Sequence, residues 1–181
     1  MESPPRDVPA EERRWDAYEY GRSEAIMSAP YLRHGLRLGR FPSFEAQSCW
    51  TVEHRPGRGQ PPIATLVICD IKADRSNFFA ASAIEQSAWR PQLSKRATCE
   101  LSPAVLEEFN SILAATTLTL AVPAAPVGVD GTVFRLRQRA GLCEINVEWW
   151  AKAPASWSGL ESAFHALWRR LTTLAGLSSD S

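Results

Sequence analysis

The chain has 181 residues, 45% of them hydrophobic, so one domain can bury a sizeable core without disulfide or metal staples. Twenty basic residues balance twenty acidic ones, which argues against a dedicated nucleic-acid or membrane-surface protein, because these normally carry a basic excess. No apolar run approaches the roughly 20 residues of a membrane-spanning helix, and the polar start MESPPRDVPAEERR has no apolar core of a secretory signal. The expected location is therefore the cytoplasm.

Residues 1–9 hold three prolines and several charges, and read as a disordered lead-in to a single domain over 10–177. Residues 10–20 suit a helix with Trp15 and Tyr18 turned inward, and a second short helix fits 23–28, before Pro30. Arg33, Arg37 and Arg40 then recur at helix-like spacing, while Gly35 and Gly39 weaken a helix. A solvated loop is favoured there over a basic patch.

Residues 44–54 alternate in period two, with Trp50 and Val52 on one face and Cys49 and Thr51 on the other. The almost unbroken apolar run 63–71 (IATLVICDI) predicts a central strand covered on both faces, paired with 44–54 across a Gly- and Pro-rich loop. Residues 72–90 leave two readings open, a helix or a loop that buries Phe78, Phe79 and Trp89. A short strand is expected at 94–101. Ser102-Pro103 then opens a helix, with Ser as N-cap and Pro at the first helical position. Its apolar stripe is Leu106, Phe109, Ile112 and Leu113. A further short strand at 117–122 and a linker lead to the hairpin.

The stretch 130–150 (DGTVFRLRQRAGLCEINVEWW) carries two alternating runs. If Ala140-Gly141 is the turn, Leu136 lies opposite Ile145 and Phe134 opposite Val147, while Arg137 meets Glu144 and Val133 meets Glu148. Arg135, Arg137, Glu144, Glu148 and Trp150 then share one outward face. Trp150 has two readings, an interaction hot spot or a side chain covered by the N-terminal segment or Trp157. Beyond the strand-breaking Pro154, Ser158 and Glu161 have capping-box spacing. Leu160, Phe164, Leu167, Leu171 and Leu174 then mark the strongest helix, closed by Gly176.

Catalytic constellations are not apparent. The three histidines, His34, His54 and His165, lack a second ligand at metal spacing. Cys49, Cys69, Cys99 and Cys143 match no zinc pattern and read as small buried thiols. There is no GxSxG, SxxK, GxxxxGK[ST] or GxGxxG. Glu144 and Glu148 stand about 13 Å apart along a strand, too far for a glycosidase pair at roughly 5–9.5 Å. No cofactor or metal is expected.

The pattern DGTxFxL, a short turn, a strand ending in WW, then Pro and a terminal amphipathic helix is carried here by Asp130, Gly131, Thr132, Phe134, Leu136, Trp149, Trp150, Pro154 and the helix from Leu160. It resembles uncharacterised small bacterial α+β proteins, some of which are similar to immunity proteins that neutralise a toxin. The resemblance covers the last third of the chain and implies a protein partner rather than catalytic residues.

The expectation is an α+β domain, a mainly antiparallel sheet with helices packed on one face. It is a non-enzymatic protein-binding module whose partner is a cognate toxin or effector, with no nucleic acid and no membrane. Arg135, Arg137, Glu144, Glu148 and Trp150 are its binding residues. The alternative is a small enzyme with a site assembled from scattered residues such as His54, Asp70 or Glu148. A third reading, a ligand carrier, requires an apolar cavity.

Overall fold

In a computed structural model of the chain, the residues described are 18, 22–27, 34–43, 45–53, 60–81, 89–117 and 131–178. Alternation builds the sheet. Strands β1 (His34–Pro42), β2 (Gln47–Glu53), β3 (Ile63–Cys69), β4 (Leu93–Glu100), β5 (Thr132–Ala140) and β6 (Cys143–Trp150) form one six-stranded sheet in the order β4-β3-β2-β1-β5-β6. Every neighbouring pair is antiparallel. With helices α1 (Ile71–Ala80), α2 (Pro103–Ala114) and α3 (Ser158–Leu174), this is the expected α+β class.

One face of the sheet carries Leu36, Leu38, Trp50, Val52, Leu66, Phe134, Leu136, Val147 and Trp149, all buried in one cluster with residues of α2 and α3. Phe164 of α3 stands edge-on to both Phe134 and Trp149, each at 5.4 Å. The opposite face holds a smaller cluster in which Ile26 and Met27, from a helical segment at 22–27, meet Phe41, Cys49 and Cys69.

The helix signals at 102–103 and 176 stand. Ser102 Oγ accepts from Val105 N at 3.3 Å, with Pro103 in the first turn of α2. Gly176 at φ +69 closes α3 with paired bonds from Gly176 N to Thr173 O and from Leu177 N to Thr172 O, the Schellman pattern. The capping box is corrected. Ser158 already lies inside α3, and a 3₁₀ turn at Ala155–Trp157 feeds the helix, so Ala155 O accepts from the Ser158 N–H. Glu161 instead accepts from Ala153 N at 3.3 Å.

Four further expectations change. From residue 34 on, the expected loop is strand. Its described part opens β1, near the middle of the sheet, because Leu36 and Leu38 alternate with Arg37. Gly39 is there for close approach, since a Cβ built on it would lie 2.8 Å from Met27 Sδ. β3 pairs with β2 as expected, with Trp50 opposite Leu66, but it is second from the edge rather than central, and Ile71 starts α1 instead of ending the strand. The strand expected over 44–54 starts only at Gln47 and runs to Glu53, with residues 44 and 54 outside the described residues.

The final hairpin slips by two residues. Leu136 pairs with Val147, Phe134 with Trp149, Arg135 with Glu148, Arg137 with Asn146 and Arg139 with Glu144. The turn is Gly141-Leu142, with Gly141 at φ +62 in the first central position, where a type II′ turn puts glycine. A slip of two preserves every facing, so the polarity pattern alone does not choose between the registers. The strand expected at 117–122 falls almost entirely outside the described residues.

Candidate functional site

The face opposite α2 and α3 carries the charge. β1 contributes Arg37, β5 contributes Arg135, Arg137 and Arg139, and β6 contributes Glu144, Glu148 and Trp150. Pairing puts Arg37 directly against Arg137, and two like charges in that position need counter-ions. Glu24, from the 22–27 segment, supplies one. Its Oε1 lies 2.8 Å from Arg135 Nη1 and its Oε2 3.4 Å from Arg137 Nη2. Glu148 Oε2 accepts from Arg135 Nε at 2.6 Å, and Glu144 lies 3.8 Å from both Arg137 and Arg139. Arg37 donates to the carbonyl oxygen of Met27. Burial, opposed by nearby Cys49 and assisted by the Arg137 charge, holds Arg37 below the ordinary guanidinium range.

The five residues picked from the sequence therefore share one face but not one environment. The side chains of Arg135 and Arg137 are only 12% and 16% exposed beneath the 22–27 segment, whereas Glu144 and Glu148 are 42% and 48% exposed. Trp150 is half-buried, and its indole lies over Gly131, where a Cβ would come within 2.9 Å of Nε1. Gly131 O in turn accepts from both Ser43 N and Ser43 Oγ at 3.0 Å. The glycine of the DGT pattern thus sits at a close approach.

Further along the same face is a buried polar group that sequence reasoning did not assemble. Tyr18 donates to Asp74 Oδ2 at 3.3 Å, and Asp74 Oδ1 accepts from Gln92 N at 3.1 Å. Arg22 Nε donates to Gln47 Oε1 at 2.7 Å, and its guanidinium lies 4.5 Å from the Tyr18 ring centroid. Burial pushes the Tyr18 hydroxyl up to about 12 and raises Asp74, and burial together with Asp74 pushes the Cys69 thiol up to about 12. Tyr18 also packs against Phe78, Phe79 and Trp89, at 5.0, 5.8 and 5.1 Å between centroids. These contacts fasten the N-terminal segment to the sheet and to α1. The inward Tyr18 was legible, but nothing in the sequence distinguishes Arg22 from the other arginines.

The remaining candidates are dispersed. Asp70 accepts from Ala73 N at 3.3 Å at the start of α1. His54 lies outside the described residues. His165 stands edge-on to the rings of both Phe134 and Phe164, and burial lowers its pKa. Among the described residues no three of His, Cys, Asp and Glu group at metal-ligand spacing, and no helix is long and apolar enough to cross a membrane. The expectation for the thiols is corrected in part. Cys49 and Cys69 are buried and Cys99 is half-buried, but Cys143, beside the hairpin turn, is exposed. A cavity of about 210 Å³ opens between α2 and the sheet, with Leu36, Val52 and Phe109 as apolar walls and Asn110 and Gln138 as its polar lining.

Comparison of the chain with family models, with curated proteins and with solved structures gives no match.

Proposed function

We propose that the chain is a non-enzymatic protein-binding module of the immunity type, which works in the cytoplasm by seating against a bacterial toxin and occluding its active site. The observation that carries this reading is the outward pair Glu144 and Glu148, backed by arginines that are themselves largely buried. Glu148, bonded to Arg135 at 2.6 Å, loses little side-chain freedom on binding, and a carboxylate row backed by buried arginines sets association rate and specificity. Trp150 borders the pair as the aromatic anchor, while Arg135 and Arg137 act from beneath as supports. The DGTxFxL…WW resemblance points the same way.

The reading is tested by co-expressing the chain in a toxin-sensitive bacterial host with candidate toxins encoded beside its gene. Growth should be restored, and the purified pair should co-elute. Trp150→Ala should weaken the complex by about 2 kcal/mol or more if the indole is a hot spot. A soluble, folded chain that neither restores growth nor co-elutes with any of these toxins ends the immunity assignment.

A further inference from the structure

The two ends of the sheet are built differently. β4, at one edge, carries Lys95 and Arg96, and its pairing steps from Leu66↔Ala97 to Val67↔Lys95, which makes Arg96 an extra, bulged residue. An edge lysine and a bulge are ordinary devices that keep an edge strand from pairing with another chain. β6, at the other edge, has no lysine, proline or bulge, and runs in unbroken register with β5 from Trp150↔Val133 to Cys143↔Ala140. The bond from Ala151 N to Thr132 O, at 2.7 Å, fixes the phase of the ladder. Odd-numbered residues of β6 bond to β5, so Glu144, Asn146 and Glu148 turn their N–H and C=O groups outward. All three are exposed, and on the helix-bearing face Ile145 is 49% exposed.

We infer that the β6 edge accepts an extended segment of a partner protein as a seventh strand, one with lysine or arginine at alternate positions facing Glu144 and Glu148 and apolar residues between them. This rests on the protein-binding reading above and gives it a mode, strand addition, in which main-chain bonds supply affinity and alternate side chains supply specificity. Charge selects the occupant. The arginines paired with Glu144 and Glu148 lie on the inner side, on β5, so among the described residues the outer flank of the acidic row carries no counter-ion. A second copy of β6 fits poorly. Residues opposed in an antiparallel pair share a face, so the row Glu144-Asn146-Glu148 would meet its own carboxylates.

The test uses the isotope-labelled full chain at low salt, where exposed charges are least screened, titrated with an eight-residue peptide of alternating lysine and valine, the length of β6. Saturable shifts should centre on the amides of Glu144, Asn146 and Glu148, and a glutamate–valine peptide should bind at least about tenfold more weakly. Asn146→Pro removes an outward N–H without touching the β5 side of the ladder, and should also cost at least about tenfold. Should that variant not fold, Glu144→Lys decides, because it should shift preference toward the glutamate–valine peptide, which a folding defect does not do. No saturable binding, shifts centred elsewhere, no charge preference, or a β6-copy peptide binding as well as the lysine–valine peptide would each overturn the inference. Neutralisation separates its failure from that of the parent reading. A folded Asn146→Pro that protects against the toxin like the native chain removes the edge and leaves the module, whereas a native chain that does not protect removes the module whatever the peptides do.

Discussion

Glu24 reaches from the N-terminal segment to Arg135, its Oε1 2.8 Å from Nη1, and with its other oxygen meets Arg137 at 3.4 Å. One carboxylate thus bridges two guanidiniums that are each less than one-fifth exposed. Removing one partner of such a contact costs more than forming it contributes, because the charges left behind are partly desolvated. Glu24 is itself about a third exposed, which moderates the effect. Glu24→Ala should therefore lower unfolding free energy by about 1–2 kcal/mol. Urea denaturation measures this, and an unchanged midpoint would show that the segment is not fastened there.

The thiols should react in a set order. Cys143 is exposed, Cys99 half-buried, and Cys49 and Cys69 fully buried. Burial pushes Cys49 and Cys69 up to about 12, so neither presents appreciable thiolate near neutrality. Iodoacetamide followed by mass spectrometry should label Cys143 first, Cys99 slowly, and the other two only after unfolding. Early modification of Cys69 would show that the cover supplied by Tyr18 and the 22–27 segment opens without global unfolding.

Such patterns explain what the sequence disclosed and what it hid. Helix α3 was plain because Leu160, Phe164, Leu167 and Leu171 repeat a single periodicity over about three turns, and all four are buried. Strand β1 was hidden because Arg37 and Arg40 imitate helical spacing within a stretch whose only period-two apolar signal is Leu36 and Leu38. The hairpin faces were legible and its register was not, since facing has period two and the turn at Gly141-Leu142 alone distinguishes registers two apart. The five proposed binding residues were correctly placed on one face. That Glu24 lies across two of them depends on a contact 111 residues distant in sequence, which no local pattern encodes.

Asp74 makes stability depend on pH. Burial raises its pKa in the folded chain, against the bonds from Gln92 N and Tyr18 that favour the anion. The folded protein therefore holds this proton over a range in which the unfolded chain, with an ordinary value of about 3.9, has released it. The stability associated with neutral Asp74 is fully present below that value and is lost as pH climbs through the folded one. Asn can keep both contacts, its oxygen accepting from Gln92 N and its amide donating to Tyr18. Asp74→Asn should accordingly gain on the native chain as pH rises from about 4 to 7 in parallel urea titrations. A difference that stays constant with pH would remove the shift.

The double reversal Arg135→Glu with Arg137→Glu separates a solvated face from a covered one. Alternation alone puts both side chains outward, and surface ion pairs contribute only about 0–1 kcal/mol each, so on a solvated face the reversal would barely move the melting temperature. Beneath the 22–27 segment the consequence is different. The two new carboxylates would stand among Glu24, Glu144 and Glu148, in positions where the native side chains are 12% and 16% exposed. Breaking a buried ionic contact costs about 3–5 kcal/mol, and these partly buried sites approach that range while adding repulsion from three carboxylates. Against a domain stability of about 5–15 kcal/mol, the double variant should melt far below the native chain or fail to fold. Glu144→Gln, at a 42% exposed side chain whose arginine contacts are 3.8 Å long, should melt with the native chain. Circular dichroism melts of the two variants side by side decide the matter. A reversal variant that melts like the native chain would mean that the arginines are open to solvent and available to a partner directly, rather than through the glutamates they support.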